Sequence, residues 1–231
     1  AVGASLAASF SGGAAVSPSI GISLASNTIQ RNTRAELAGF ASATPSGNVT
    51  IAAQTNSTIR SKSIAASIAV AVGSGFALGL SGGGANSINT ITGDTQALLQ
   101  TTTLRSGNGT LELTAGDSST IEALVAATSA AVGADGTSGN AASIGVSLAR
   151  NVIGDRQSSA GGNAVRAAVL DSTIDTSGAV TVRADHAARI DATVLAVSAA
   201  VAAGGSAGVA LSGAGSEATN QLAVATSALV N

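Results

Sequence analysis

The chain has 231 residues, a net charge of −2 and only 10% charged residues; 45% are hydrophobic, yet three Phe are the only aromatics and Met and Cys are absent. This balance leaves no basic footprint for nucleic acid, and the lack of cysteine excludes a disulfide framework or a thiolate metal site. Disorder is excluded by the hydrophobic content. The apolar residues are mostly Ala and Val, so a core of large interlocking side chains is not expected. Stability is expected instead from backbone hydrogen bonds and from the summed interfaces of repeats.

The repeat can be read from the first copy onward. Ser19, Ser81, Ser143 and Ser212 each lie eight residues before Asn27, Asn89, Asn151 and Asn220, with serine spacings of 62, 62 and 69. Self-similarity at a fixed period marks a repeat architecture. The expected repeats are 1–62, 63–124, 125–193 and a partial 194–231 within one array. The longer interval implies one insertion of seven residues between Asn151 and Gly178, around Arg156 to Val165, expected as a lengthened surface loop.

In the second copy, Ser63 to Val72 alternates branched and small residues, a strand signature. Gly73-Ser74-Gly75 supplies a turn, and Phe76 to Ile91 resumes the period of two. Thr95 to Gln100 and Thr110 to Ala115 follow as shorter strands, and Ser119 to Ala123 leads into the next copy. Four strands per copy with Gly-rich corners predict an all-β fold, a β-solenoid whose copies stack in parallel at about 4.8 Å. Ser63 to Thr92 is uncharged and long enough to span a bilayer as a helix, but its glycines and its period of two argue against membrane insertion.

One face of each long strand is made only of Ala, Gly and Ser. Its members include Ser5, Ser67, Ser129 and Ser198, and beside them Ala69, Ala131 and Ala200. After the turn it continues with Gly79, Ser81, Ser143 and Ser212. Such a face either points inward, with two sheets closer than the usual ~10 Å as in dry zippers, or points outward as a flat surface for an identical chain. A third reading matches it to an ice or mineral surface. The opposite face is looser, with Ile64, Ile68, Val70 and Leu80 in one copy and Pro18 or Asn140 in others.

Motifs for chemistry are few. His186 is the only histidine and is expected at the surface, so no triad or histidine metal cluster can form. The alternating Arg183, Asp185, Arg189 and Asp191 read as a solvated strand edge that discourages stray pairing. Asp171 and Asp175 offer oxygens to calcium, but the Gly/Asp nonapeptide of calcium-binding β-rolls is absent, so no cofactor is expected apart from this one possibility of calcium. No phosphate loop or paired-carboxylate site stands out, and a non-enzymatic protein is expected.

The motifs Ser143-Ile144-Gly145-Val146-Ser147-Leu148-Ala149-Arg150-Asn151-Val152-Ile153, and Asp171-Ser172-Thr173-Ile174 followed by Gly178-Ala179-Val180-Thr181-Val182-Arg183-Ala184, carry a resemblance. They resemble the repeats of very large bacterial surface and secreted proteins, of the adhesin-like, filamentous-haemagglutinin-like β-solenoid kind. The resemblance implies secretion, an extracellular or cell-surface place, and adhesion or matrix roles. The expectation is a structural rod segment of a filament, stalk or giant adhesin, a slice of something longer. Its partners would be identical chains or the continuation of its own chain. The alternatives are a module binding glycan, mineral or ice, and a calcium-stabilised β-roll.

Overall fold

In the computed structural model, which describes residues 1–154 and 163–231, the chain is an all-parallel β-solenoid of stacked coils. The first coil holds β1 (Val2–Phe10), β2 (Ala14–Gln30), β3 (Thr33–Ala38) and β4 (Val49–Thr55). The second holds β5 (Thr58–Gly73), β6 (Phe76–Thr92), β7 (Thr95–Gln100), β8 (Thr103–Gly107) and β9 (Leu111–Asp117). The third repeats it as β10 (Thr120–Asp135), β11 (Ser138–Gly154), β12 (Ala164–Leu170), β13 (Thr173–Thr176) and β14 (Val180–His186). β15 (Arg189–Gly204), β16 (Ala207–Ala223) and β17 (Ala225–Val230) begin a fourth.

Equivalent strands pair along the stack. The first sheet is β1-β5-β10-β15, the second β2-β6-β11-β16 and the third β3-β7-β12-β17. Two narrower sheets, β8-β13 and β4-β9-β14, complete the cross-section. A full coil therefore has five strands, one more than the sequence suggests. The extra one, β8, is five residues long and buries only Leu104 and Ser106, too short a run to show a period.

The register confirms the stacking and refines the insertion. Ser67 pairs with Ser5 and Ser129, and Ser129 with Ser198. Ile153 pairs with Ile91 at an offset of 62, whereas Val165 pairs with Thr95 at an offset of 70. The offset falls to 69 at a bulge between Asp175 and Thr176. The net seven-residue gain thus combines an insertion of eight with a deletion of one. Of the span Arg156 to Val165, where the surface loop was expected, residues 156–162 lie outside the described residues, and Ala164 and Val165 belong to β12, Val165 being buried.

The cross-section has two parts. The first and second sheets lie face to face and form a blade. The three short sheets enclose a wedge filled by Leu99, Leu104, Leu111, Leu113, Ile51, Val165 and Val169, all buried. This corrects the expectation that no core of large side chains can form: the large aliphatics are few but concentrated where three sheets meet. Between blade and wedge, the stacked pairs Ile59–Ile121 of the first sheet and Ile91–Ile153 of the second pack into one cluster.

Corners follow the turn chemistry. Asp135 caps its turn by accepting hydrogen bonds from Thr137 N–H at 2.5 Å, Thr137 Oγ1 at 2.8 Å and Ser138 N–H at 2.9 Å. Thr101 at the corner after β7 and Asp171 at the equivalent corner after β12 hold φ of 45° and 48°, and the equivalent residue of the first coil is Gly39 at 76°. An aspartate tolerates that left-handed conformation better than most residues, so Asp171 has a structural use in the position where a calcium ligand was considered.

Candidate functional site

The inner faces of the blade meet across small side chains. Ser67, Ser129, Ser81, Ser143, Ala69 and Ala131 are buried there, as is Gly79. Towards the chain's ends Ser5, Ser198 and Ala200 are half-buried, and Ser212 on β16 is exposed. Why the face must be small is clearest at two glycines. A Cβ added to Gly79 would fall on the main chain of Val132, and one added to Gly133 would fall on the carbonyl oxygen of Asn140. With the opposing backbone standing where a side chain would begin, the sheets are closer than the ~10 Å of ordinary packing.

The serines turn this contact into a zipper. Ser19 Oγ lies 2.8 Å from Ser5 Oγ and 3.0 Å from Ser67 Oγ, and Ser67 Oγ lies 2.9 Å from Ser81 Oγ. Further along, Ser143 Oγ bridges Ser129 at 2.8 Å and Ser198 at 2.9 Å. A hydroxyl can donate and accept at once, so Ser19, Ser67 and Ser143 each join two neighbours, whereas Ser17 Oγ, buried on the same face, has no partner among the described residues. A buried polar network of this kind stabilises one register and no other, because a slip leaves its members unpaired.

A second polar line was visible in the sequence only as a register mark. Asn27 Nδ2 donates to Asn89 Oδ1 at 2.8 Å, Asn89 to Asn151 at 2.7 Å, and Asn151 to Asn220 at 2.9 Å. Asn89 and Asn151 are fully buried. The remaining donor of Asn89 goes to Ser87 Oγ at 3.0 Å, and that of Asn27 to Ser61 Oγ at 3.2 Å. The signal was available: an even offset of eight residues from the zipper serines puts the asparagines on the same inner face.

The charged groups lie elsewhere. Arg60 pairs with Glu122 at 2.8 Å and Arg189 with Asp191 at 2.7 Å, both on the exposed side of the first sheet; Arg183 pairs with Asp185. Exposed pairs of this kind contribute little to stability. At Asp135, loss of water works to raise the pKa, and the hydrogen bonds from Thr137 and Ser138 outweigh this and lower it. His186, expected at the surface, is half-buried at the end of β14, with no hydrogen-bond partner for its Nε2 among the described residues.

Among the described residues no group of three or more His, Cys, Asp or Glu converges to hold a metal ion. No helix there is long and apolar enough to cross a membrane, and residues 63–92 lie in β5, β6 and their turn. No protein-family model matches the chain, and no curated protein or solved structure matches it.

Proposed function

We propose that this chain is a structural, non-enzymatic segment of an extracellular or cell-surface rod, the shaft of a filament, stalk or giant adhesin. The observation that carries this reading is the filling of the interior by packing: hydroxyl and amide chains in the blade, aliphatic side chains in the wedge, repeated coil after coil. Specific chemistry is spent on holding neighbouring coils in register. Such nearest-neighbour interfaces add up along a solenoid, so length can grow without a larger core.

Electron microscopy of the purified chain is the test. Straight rods or fibres of uniform width, equal in width to a single coil or a small multiple of it, are the expected outcome. Compact particles that turn over a small-molecule substrate would overturn the reading.

A further inference from the structure

The outward face of the second sheet carries glycines that the fold itself does not need. Gly82 and Gly84 on β6, and Gly213 and Gly215 on β16, alternate with inward-facing residues along their strands. A Cβ added to Gly84, Gly213 or Gly215 would meet nothing within 4 Å, and at Gly82 it would make only an ordinary contact with Ile20 at 3.8 Å. Glycine weakens a strand interior and often marks a place where another chain or a ligand comes close.

The pairing register places these glycines in a pattern. Across the four strands one column reads Ile20, Gly82, Ile144, Gly213, and the next reads Ile22, Gly84, Val146, Gly215. In these two columns large and absent side chains alternate coil by coil, so this part of the face is corrugated, with ridges two coils apart. Ile20 is 70% and Ile144 61% exposed. Between them lies an apolar depression of about 290 Å3, lined by Pro18, Leu80, Gly82 and Ala142.

We infer that this face docks a second copy of the same chain. A two-fold axis parallel to the strands, midway between β6 and β11, lays each β11 over the opposite β6 and each β16 over the opposite β2. Ile144 then faces the partner's Gly82, and Val146 faces the partner's Gly84. Ile20 faces the partner's Gly213, and Ile22 faces the partner's Gly215. In these two columns each ridge fills a trough, as facing layers do in a packed core, and the contact closes on itself as two-fold interfaces do.

The area fits. Five side-chain columns, from that of Val16 to that of Leu24, span four strands, and at about 6.7 Å per column and about 4.8 Å per strand they cover roughly 640 Å2. Two copies would bury roughly 1,300 Å2, within the range of specific protein interfaces. The three inner columns carry no polar side chain; Asn140 lies in one outer column, and Asn86 and Glu217 lie in the other, at the rim. This inference concerns a face that the rod reading does not use and stands or falls separately from it.

Sedimentation equilibrium of the 231-residue chain tests it. The expected result is a dimer with a Kd below about 100 μM. Gly213→Leu should weaken the dimer at least tenfold without lowering the thermal midpoint, since its side chain enters open space in the monomer and a trough in the dimer. Ile144→Lys should do the same, and Ile68→Lys on the outer face of the first sheet should change nothing. A chain that stays monomeric at about 100 μM, or a dimer broken by Ile68→Lys and indifferent to both Gly213→Leu and Ile144→Lys, overturns the proposal. Binding of the monomer to phosphatidylcholine vesicles in place of self-association would also overturn it.

Discussion

The blade and the wedge solve the same problem with opposite materials. Both must hold one coil on the next through a stack of parallel strands. The wedge does so with Leu99, Leu104, Leu111 and Leu113, whose bulk excludes water from the space between three sheets. In the blade, Ala, Gly and Ser bring two backbones into contact and hydrogen-bond across the gap. The difference shows that stability in a repeat fold depends less on how large the core residues are than on whether each site is filled to the size its sheets allow.

Crossed substitutions should separate the two regions. The largest effect is expected in the wedge: Leu113→Ala leaves a cavity at a fully buried site and should cost about 2–5 kcal/mol in denaturant unfolding. Next is enlargement in the blade. Ser67→Leu inserts bulk against Ser19 and Ser81 and should cost about 1–3 kcal/mol; an unchanged midpoint would mean that the two sheets are not in tight contact. Ser143→Ala removes the hydroxyl shared by Ser129 and Ser198 and should cost about 0.5–1.5 kcal/mol.

The smallest effect is that of pH. The folded-state pKa of Asp135 lies below its unfolded value, so its contribution is complete above the unfolded pKa and is lost as pH falls through the folded one. Asp135→Asn should therefore flatten the acid limb of the stability curve by lowering stability slightly at neutral pH and leaving it unchanged below the folded-state pKa. A steeper acid limb in the variant would contradict the capped turn.

Much of this was legible in the sequence because a period of two and a period of 62 leave strong marks. The alternation in Ser63 to Val72 gave β5, and the recurring Ser–Asn pair gave the coil register. The wedge was hidden because overall composition dilutes four leucines that lie within fifteen residues of chain, from Leu99 to Leu113. Strand β8 was missed for its brevity. The zipper serines were read as small residues, whereas their hydroxyls matter as much as their size. The outward glycines escaped notice because glycine has the same letter whether it faces a carbonyl, as Gly133 does, or open space, as Gly213 does.

The asparagine line has a directional consequence. All three links run the same way, from Nδ2 in one coil to Oδ1 in the next. Backbone dipoles in a sheet largely cancel, but these amide dipoles add head to tail, and neighbours polarise one another. The solenoid therefore carries an electrical polarity set by side chains alone. The oxygen side of the line faces the earlier coils and its amide side the later ones, so the side-chain dipoles mark the same direction along the stack that the course of the main chain does.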